Sequence, residues 1–300
     1  MRADIPKVSV LLATFNGVSF LDEQLASLNE QQDVGVEVLV IDDGSTDGTM
    51  EILKTWQEKG LIVSIVESYG LGSTRAFLKL LQECKNKPYV AFCDQDDIWE
   101  PHKLAMQILL SEEDVPTLVF SARKYLGSSK KFKGASPRLI KSPSFENALI
   151  ENIAPGNTIL LNSPAIKLIN TYVLPDIAHY DSWMYLLISA FGRCRYINKP
   201  LVQYRIHENN QIGLRKFSLK DFELSALHFI HQAYYLSAES KQTMSEEKKL
   251  LLASFISVLQ VRGKRQKAKA IFMAKFNRQR LIDQIGFRLI FLILLSKGKI

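Results

Sequence analysis

Three carboxylates close a short apolar run. Asp94, Asp96 and Asp97 follow Tyr89-Val-Ala-Phe-Cys93, and Ile98-Trp99 comes next. Carboxylates set this close repel one another, so a cation is their natural partner. A hard divalent ion, Mg²⁺ or Mn²⁺, takes one or two carboxylates and completes its shell with water and phosphate oxygens. The alternative is an Asp-rich turn capping the helix that Pro101 begins, because Asp favours turns and N-caps. Asp-x-Asp alone does not separate the two. A second acidic cluster, Asp42-Asp43-Gly44-Ser45-Thr46-Asp47, ends another apolar run. Its carboxylates could accept hydrogen bonds from ribose hydroxyls or a base N–H, and its spacing is wrong for an EF-hand. Two further breaks join these: Thr14-Phe15-Asn16-Gly17 and Gly70-Leu71-Gly72-Ser73-Thr74-Arg75. Arg75 either adds a cation to a diphosphate or is a solvated residue on a first helical turn.

These breaks need elements to position them. Lys7 to Ala13, Val36 to Ile41, Leu61 to Glu67 and Tyr89 to Cys93 read as strands. Ser19 to Gln31, Thr49 to Lys59 and the stretch from Gly72 to Cys84 read as helices. Strands alternating with helices predict βαβ units and a mostly parallel α/β sheet flanked by helices. Right-handed crossovers then bring every strand's carboxyl end to one edge, where ligands bind in open α/β sheets. Gly70-x-Gly72 lacks the third glycine of a dinucleotide fingerprint, and no Gly-x-x-x-x-Gly-Lys-Ser/Thr is present.

As a set, Thr14-Phe15-Asn16, Val40-Ile41-Asp42-Asp43-Gly44-Ser45-Thr46-Asp47 and Asp94-Gln95-Asp96-Asp97 resemble the motifs of glycosyltransferase family 2, over about Val8 to Asn210. The Cys93-to-Trp99 version is most similar to bacterial rhamnosyltransferase-type members. The resemblance implies a GT-A fold, a Rossmann-like nucleotide-binding half and a nucleotide-diphosphate-sugar donor. It places Thr14, Phe15, Asn16, Asp42, Asp43, Arg75, Asp94, Gln95 and Asp96 at the donor, with Asp94 and Asp96 as the metal-holding Asp-x-Asp. One departure is Arg75-Ala76, where the family often has Arg-Asn.

Downstream, Val115 to Ser121 reads as a strand, and Arg123 to Ser142 as a mobile loop or hairpin rich in Lys, Gly and Ser. Ser144 to Glu151 reads as a helix and Ile159 to Leu161 as a strand. The resemblance puts Asp97, Trp99, Gly156, Asn157 and Trp183 on the acceptor side. It also implies a catalytic base opening the helix that runs to Phe191. Asp181 is the only acid between Asp176 and Glu208 and so matches that position, although an Asp at a helix start is otherwise an N-cap. Such a base takes the acceptor hydroxyl's proton in one displacement, which inverts the anomeric carbon. Tyr204-Arg205-Ile206-His207 resembles the end of the family's catalytic domain, where the His reaches the metal or diphosphate. Imidazole suits Mn²⁺ better than Mg²⁺.

The chain has 300 residues and a net charge of +7, but the charge is uneven. From Arg262 onward there are eleven Lys/Arg and one acid, Asp283, while the preceding residues carry a net −3. Residues 1–215 are expected to form the catalytic domain. Residues 216–300 are expected to form a basic helical extension, with helices over Ser218 to Ala238, Ser245 to Val261 and Lys264 to Leu295. A basic, partly amphipathic helix beside the apolar run Ile285 to Leu295, itself too short to span a bilayer, reads as an anchor on an anionic membrane surface. The alternative is a dimer or core helix with a solvated basic face. Three cysteines in no metal-ligand spacing fit a reducing compartment, and the N-terminus has no signal-peptide apolar region. The expected protein is thus a metal-dependent inverting glycosyltransferase at the inner face of the cell membrane. It would add a sugar, dTDP-rhamnose or a UDP-sugar being candidate donors, to a glycan or lipid-linked acceptor in bacterial surface polysaccharide synthesis. There are two rival readings. A sugar-phosphate nucleotidyltransferase wants a basic, Gly-rich loop after the first strand, which Thr14-Phe15-Asn16-Gly17 is not. A nucleic-acid binder would use the basic tail, against a catalytic region that is net acidic.

Overall fold

The computed structural model describes residues 5–127, 134–175, 179–207, 219–239, 244–261 and 263–296. The chain divides into two compact units. The first takes Met1–Arg138, Ala154–Thr171 and Gly192–Leu214, and the second takes Leu139–Ile153, Tyr172–Phe191 and Arg215–Ile300.

The first unit begins β1 (Lys7–Thr14), α1 (Leu21–Asn29), β2 (Gly35–Asp42), α2 (Thr49–Glu58), β3 (Ile62–Glu67), α3 (Ser73–Glu83) and β4 (Tyr89–Asp94). It continues through β5 (Ile98–Trp99), α4 (Lys103–Ile108) and β6 (Thr117–Leu126). The chain then gives α5 (Phe145–Ala148) to the second unit and returns with β7 (Leu160–Asn162) and α6 (Ser163–Asn170). The second unit's α7 (Tyr180–Phe191) precedes β8 (Arg193–Arg205), which completes the sheet. The remaining helices of the second unit are α8 (Leu219–Glu239), α9 (Glu246–Gln260), α10 (Lys264–Met273) and α11 (Leu281–Ser296).

The eight strands form one sheet in the order β3-β2-β1-β4-β7-β6-β8-β5. β3, β2, β1 and β4 run parallel, as the alternating pattern predicts. The far half is mixed: β7 is antiparallel to both β4 and β6, β6 and β8 are parallel, and β5 is antiparallel to β8. Helices cover both faces of the parallel half, so its strands are apolar without alternation. Leu11 and Leu12, which point to opposite faces, are both fully buried.

Parallel register brings the carboxyl ends together. Thr14 pairs with Asp42 and Ala13 with Asp94, and Asp42 in turn pairs with Glu67. The first, second and fourth breaks of the sequence therefore share one rim.

Several elements differ from the sequence expectation. β8 is a strand of 13 residues to which the sequence pattern assigns no element. The Pro200 that hides it pairs with Ala122 at a register shift, where a missing N–H is tolerated. β6 runs on to Leu126 and Lys124 bridges back antiparallel to Ala135, so of the two expectations for the stretch after Arg123, loop or hairpin, its described start follows the hairpin. Residues 128–133 lie outside the described residues. α5 is a single turn and stops short of Glu151. The unexpected α6 begins at an N-cap visible in Asn162-Ser163-Pro164: Asn162 Oδ1 accepts from the Ala165 amide at 3.0 Å.

The expected helix from Lys264 to Leu295 breaks into α10 and α11. Phe276, in the break, is buried and meets Phe255, Phe287 and Phe291 with ring centroids 5.5–6.3 Å apart. Arg288 holds the break open: its guanidinium donates to the carbonyls of Ile271, Ala274 and Phe276. Burying an aromatic ring outweighs continuing the helix, and one arginine satisfies the carbonyls left over. In α8 the buried face is Ala226, Phe229, Ile230, Ala233 and Leu236, whereas Tyr234 is exposed. Among the described residues no helix is long and apolar enough to cross a membrane.

Candidate functional site

The rim of the first unit is built by carboxylates and amides that fasten one loop to the next. Asp42 is buried: its Oδ1 accepts from Thr14 Oγ1 at 2.7 Å and Ser45 Oγ at 2.6 Å, and its Oδ2 accepts from the Ser45 amide. Asn16 sits in the left-handed region at φ 47, which Asn tolerates better than most residues. Its amide donates to Ser45 Oγ at 2.8 Å, and its Oδ1 accepts from the Thr46 amide at 2.9 Å. Asp47 accepts from the Val18 and Thr49 amides and from Thr49 Oγ1, which itself accepts from the Gly17 amide. Burial pushes the Asp47 carboxyl up, and these hydrogen bonds outweigh it and hold it below its ordinary value.

Asp43 turns the other way. Its two oxygens accept from the amides of Leu71 at 2.7 Å and Gly72 at 2.8 Å, which fixes the loop that starts α3. Arg75 stands exposed on the first turn of that helix, and Ala76, at the position of the family's Asn, is buried against the core. Gly44 has φ +87, and a side chain there would strike the Tyr69 ring at 2.8 Å.

Gln95 clasps the first loop to the Asp-rich one. Its Oε1 accepts from the Phe15 amide at 2.8 Å and its Nε2 donates to the Phe15 carbonyl at 2.9 Å. The Phe15 ring is left exposed. Gly17 lies directly under the clasp, since a Cβ there would sit against Gln95 Oε1 and 2.7 Å from its Cδ.

Asp94, Asp96 and Asp97 have different surroundings. Asp96 Oδ2 lies 2.7 Å from His207 Nε2, and the His207 ring stacks on Phe20 with centroids 5.0 Å apart. Arg205, two residues earlier on β8, donates from Nε to the Asp96 carbonyl at 3.0 Å, pairs with Glu23 and lies 4.8 Å over the Phe20 ring. Arg205, Phe20 and Glu23 therefore hold the Asp96 loop, a role that the sequence reading missed. The available signal was the Tyr204-Arg205-Ile206-His207 run itself, in which Arg205 ends β8 two residues before His207.

Asp97 is fully buried. It accepts from Asn157 Nδ2 and from the Arg205 amide at 3.3 Å. Burial, together with the negative charges of Asp94 and Asp96, pushes it well above the ordinary carboxylate range. Behind it, Lys103 is buried with its ammonium 3.5 Å over the Trp99 ring and no hydrogen-bond partner. Burial pulls Lys103 down to about 7 against the attraction of Cys93 and Asp97. Asp97, Trp99, Gly156 and Asn157, read as acceptor-side residues, are thus all buried in the first unit.

Asp181 and Trp183 belong to the second unit. Asp181, partly exposed on the first turn of α7, accepts from the Ser182 amide at 2.7 Å. Trp183 is buried and meets the rings of Tyr172 and Tyr235 edge-on.

Asp94, Asp96 and His207 offer oxygen and imidazole donors suited to Mn²⁺ or Mg²⁺. The charge that Asp94 and Asp96 impose on Asp97 is of the sign a cation would offset. Among the described residues no three His, Cys, Asp or Glu side chains are already grouped as a metal cage.

The glycosyl transferase family 2 profile matches residues 9–178, more than half of the chain. The dTDP-rhamnosyl transferase RfbG of Shigella flexneri is 28% identical over 219 residues, covering 67% of this chain and 73% of that protein. Among solved structures, residues 1–349 of S. aureus TarS in complex with UDP-GlcNAc align with a TM-score of 0.63 at 17% identity, covering 97% of this chain and 92% of that one. The mannosyltransferase PcManGT of Pyrobaculum calidifontis, in complex with GDP-Man and Mn²⁺, aligns with a TM-score of 0.55 at 18% identity, covering 98% and 88%. At these identities the structural likenesses show the fold, which is GT-A-like. The family profile decides the rest: the chain belongs to glycosyl transferase family 2 and is a glycosyltransferase.

Proposed function

We propose that this glycosyltransferase is metal-dependent and inverting, and that it takes its sugar from a nucleotide diphosphate, dTDP-rhamnose or a UDP-sugar. The acceptor is a hydroxyl of a glycan or lipid-linked glycan in bacterial surface polysaccharide synthesis, at the inner face of the cell membrane. The observation that carries the donor reading is the Asp96–His207 pair at 2.7 Å, on the rim where the parallel strands end. The likeness to RfbG supports rhamnose as a donor sugar, and the GDP-Man and Mn²⁺ complex of PcManGT supports a divalent ion on this fold.

Asp94, Asp96 and His207 would hold the ion, which when bound neutralises charge on the departing nucleoside diphosphate. Arg75 adds a fixed positive charge for the same diphosphate. The Thr14–Asn16 and Asp42–Asp47 loops, tied together before any ligand arrives, shape the nucleoside side. Phe15, exposed above them, offers an apolar face to a base or ribose. Asp181 is the proposed base that accepts the acceptor hydroxyl's proton, by its place at the start of α7.

The test is thermal unfolding with dTDP, UDP, GDP and their sugars, with and without Mn²⁺ or Mg²⁺, on wild type, Asp96→Ala and Asp181→Asn. A ligand that binds the native state at a hundred times its Kd stabilises it by about 2.7 kcal/mol. Metal-dependent stabilisation by dTDP or UDP, lost in Asp96→Ala and kept in Asp181→Asn while transfer stops, is the expected result. Full stabilisation without metal, or in Asp96→Ala, refutes the metal site. Undiminished transfer by Asp181→Asn refutes the base.

A further inference from the structure

The second unit carries an apolar face that its own packing does not use. On α11 the buried side is Phe287, Arg288, Phe291, Leu294 and Leu295. The opposite side presents Ile282, Ile285, Leu289 and Ile293, and Ile282 is 76% exposed. Spacings of three and four residues put these four on one helical stripe. α10 adds two exposed apolar residues at its end, Phe272 and Met273, Met273 by 70%, and the Phe272 ring lies 5.9 Å from the Arg288 guanidinium of α11. An apolar run of this kind on one surface calls for an occupant.

The charges around it say which. Arg265 and Lys269 are exposed on the same face of α10 as Phe272 and Met273, while Lys275 and Arg280 are exposed in the connection that leads into Leu281. α10 contains no acid, and Asp283 is the one acid from Arg262 to the end of the chain. Not every cation here is available. Lys267 donates to the Leu295 carbonyl, Arg278 to the Ile150 carbonyl, and Arg288 caps the break between the two helices. Those that remain, Arg265, Lys269, Lys275 and Arg280, are exposed beside the exposed apolar residues Phe272, Met273 and Leu281 in the chain. Two copies of this face packed together would bring like charges against like. A sheet of anionic headgroups over acyl chains satisfies both features at once, with the cations at the headgroups and the isoleucines and leucines below them.

We propose that the exposed face of α10 and α11 docks on an anionic lipid bilayer, lying in its interface rather than crossing it. This extends the acceptor reading above, but it rests on the second unit's own surface and can fail separately.

The experiment is co-sedimentation of the full chain with vesicles of phosphatidylcholine alone or with 30% phosphatidylglycerol, read in 50 mM and 500 mM salt, a range over which the Debye length shortens about threefold. The expected result is at least about tenfold tighter binding to the anionic vesicles, and loss of most of that advantage at high salt. Leu289→Glu and the pair Lys269→Glu/Arg280→Glu should each weaken binding about tenfold or more. Both sets of positions are exposed, and an unchanged melting temperature together with unchanged nucleotide stabilisation would show that fold and donor site are intact. Equal binding to neutral vesicles, or anionic binding that ignores both substitutions, overturns the proposal. So does a concentration-dependent dimer in light scattering that Leu289→Glu abolishes while vesicle binding is absent, which would assign the face to a second copy. Failure of the nucleotide assay alone would leave vesicle binding standing.

Discussion

The Gln95 clasp gives a prediction whose sign and size follow from four atoms. Gln95→Ala removes two hydrogen bonds to Phe15, of 2.8 and 2.9 Å. At a net ~0.5–1.5 kcal/mol each, and at the lower end because both bonds are exposed, the loss is about 1–2 kcal/mol. Gly17→Ala attacks the same clasp from below, because its Cβ lands against Gln95 Oε1 and 2.7 Å from Cδ. The amide must swing out, so the substitution loses both bonds and adds the cost of displacing the loop, together about 1–3 kcal/mol. The three nearest atoms to that Cβ all belong to Gln95. Once Gln95 is alanine, the obstacle is gone, and alanine at 17 costs almost nothing. The double variant should therefore be about as stable as Gln95→Ala alone, a coupling of about 1–3 kcal/mol in a double-mutant cycle. Unfolding the four proteins by heat and by urea measures it. Costs that add to within about 0.5 kcal/mol would refute the reasoning, since Gly17 would then be required by something other than the clasp.

Two further predictions follow from groups whose partners are equally defined. Asp43→Ala leaves the Leu71 and Gly72 amides without their acceptor, so it should cost about 1–3 kcal/mol in thermal unfolding. It should also speed proteolysis at Gly70–Gly72, whereas a variant cut no faster there would show that Asp43 does not hold that loop. Burial pushes the Cys84 thiol up to about 11, against the attraction of Lys87. Its folded pKa thus lies above the unfolded one, so its contribution is fully present below the ordinary thiol value and is lost as pH rises toward 11. Wild type should lose stability relative to Cys84→Ala between about pH 9 and 11, and a constant difference across that range would contradict the assignment.

The first half of the fold was legible because β1, β2 and β4 are largely buried on both faces. Runs such as Val10 to Ala13 stay apolar throughout, and each ends in residues that break a strand. The second half was not legible, for physical reasons that no local window contains. β8 is interrupted by Pro200, and only its pairing with Ala122 makes that residue acceptable in a strand. The gap between α10 and α11 exists because Phe276 is buried by three distant rings while Arg288, twelve residues away, supplies the donors that a continuing helix would have supplied. The grouping of Leu139–Ile153 and Tyr172–Phe191 with the tail is likewise a matter of contact. Asn147, for example, donates to the carbonyl of Asn277 at 3.0 Å.

At the rim, residue types were legible and roles were not. A sequence read for chemistry treats every aspartate at a strand end as a ligand. In the fold, Asp42, Asp43, Asp47 and Asp97 spend their oxygens on the amides and hydroxyls of neighbouring loops. A turn that leaves amides pointing inward needs an acceptor, and a short carboxylate supplies one without the entropy cost of a long side chain. Most of the acidity along the rim is therefore structural. What it leaves is a rim whose loops are fixed in advance, so a ligand need not order them on arrival. The carboxylate that faces an imidazole, Asp96 with His207, is then where the proposed metal and diphosphate would meet the protein. That is why Asp96→Ala, and not substitution at Asp42 or Asp43, separates a failure of donor chemistry from a failure of the loops: the latter two would lower nucleotide binding and stability together, and Asp96→Ala should lower nucleotide binding without loosening the loops that Asp42 and Asp43 fasten.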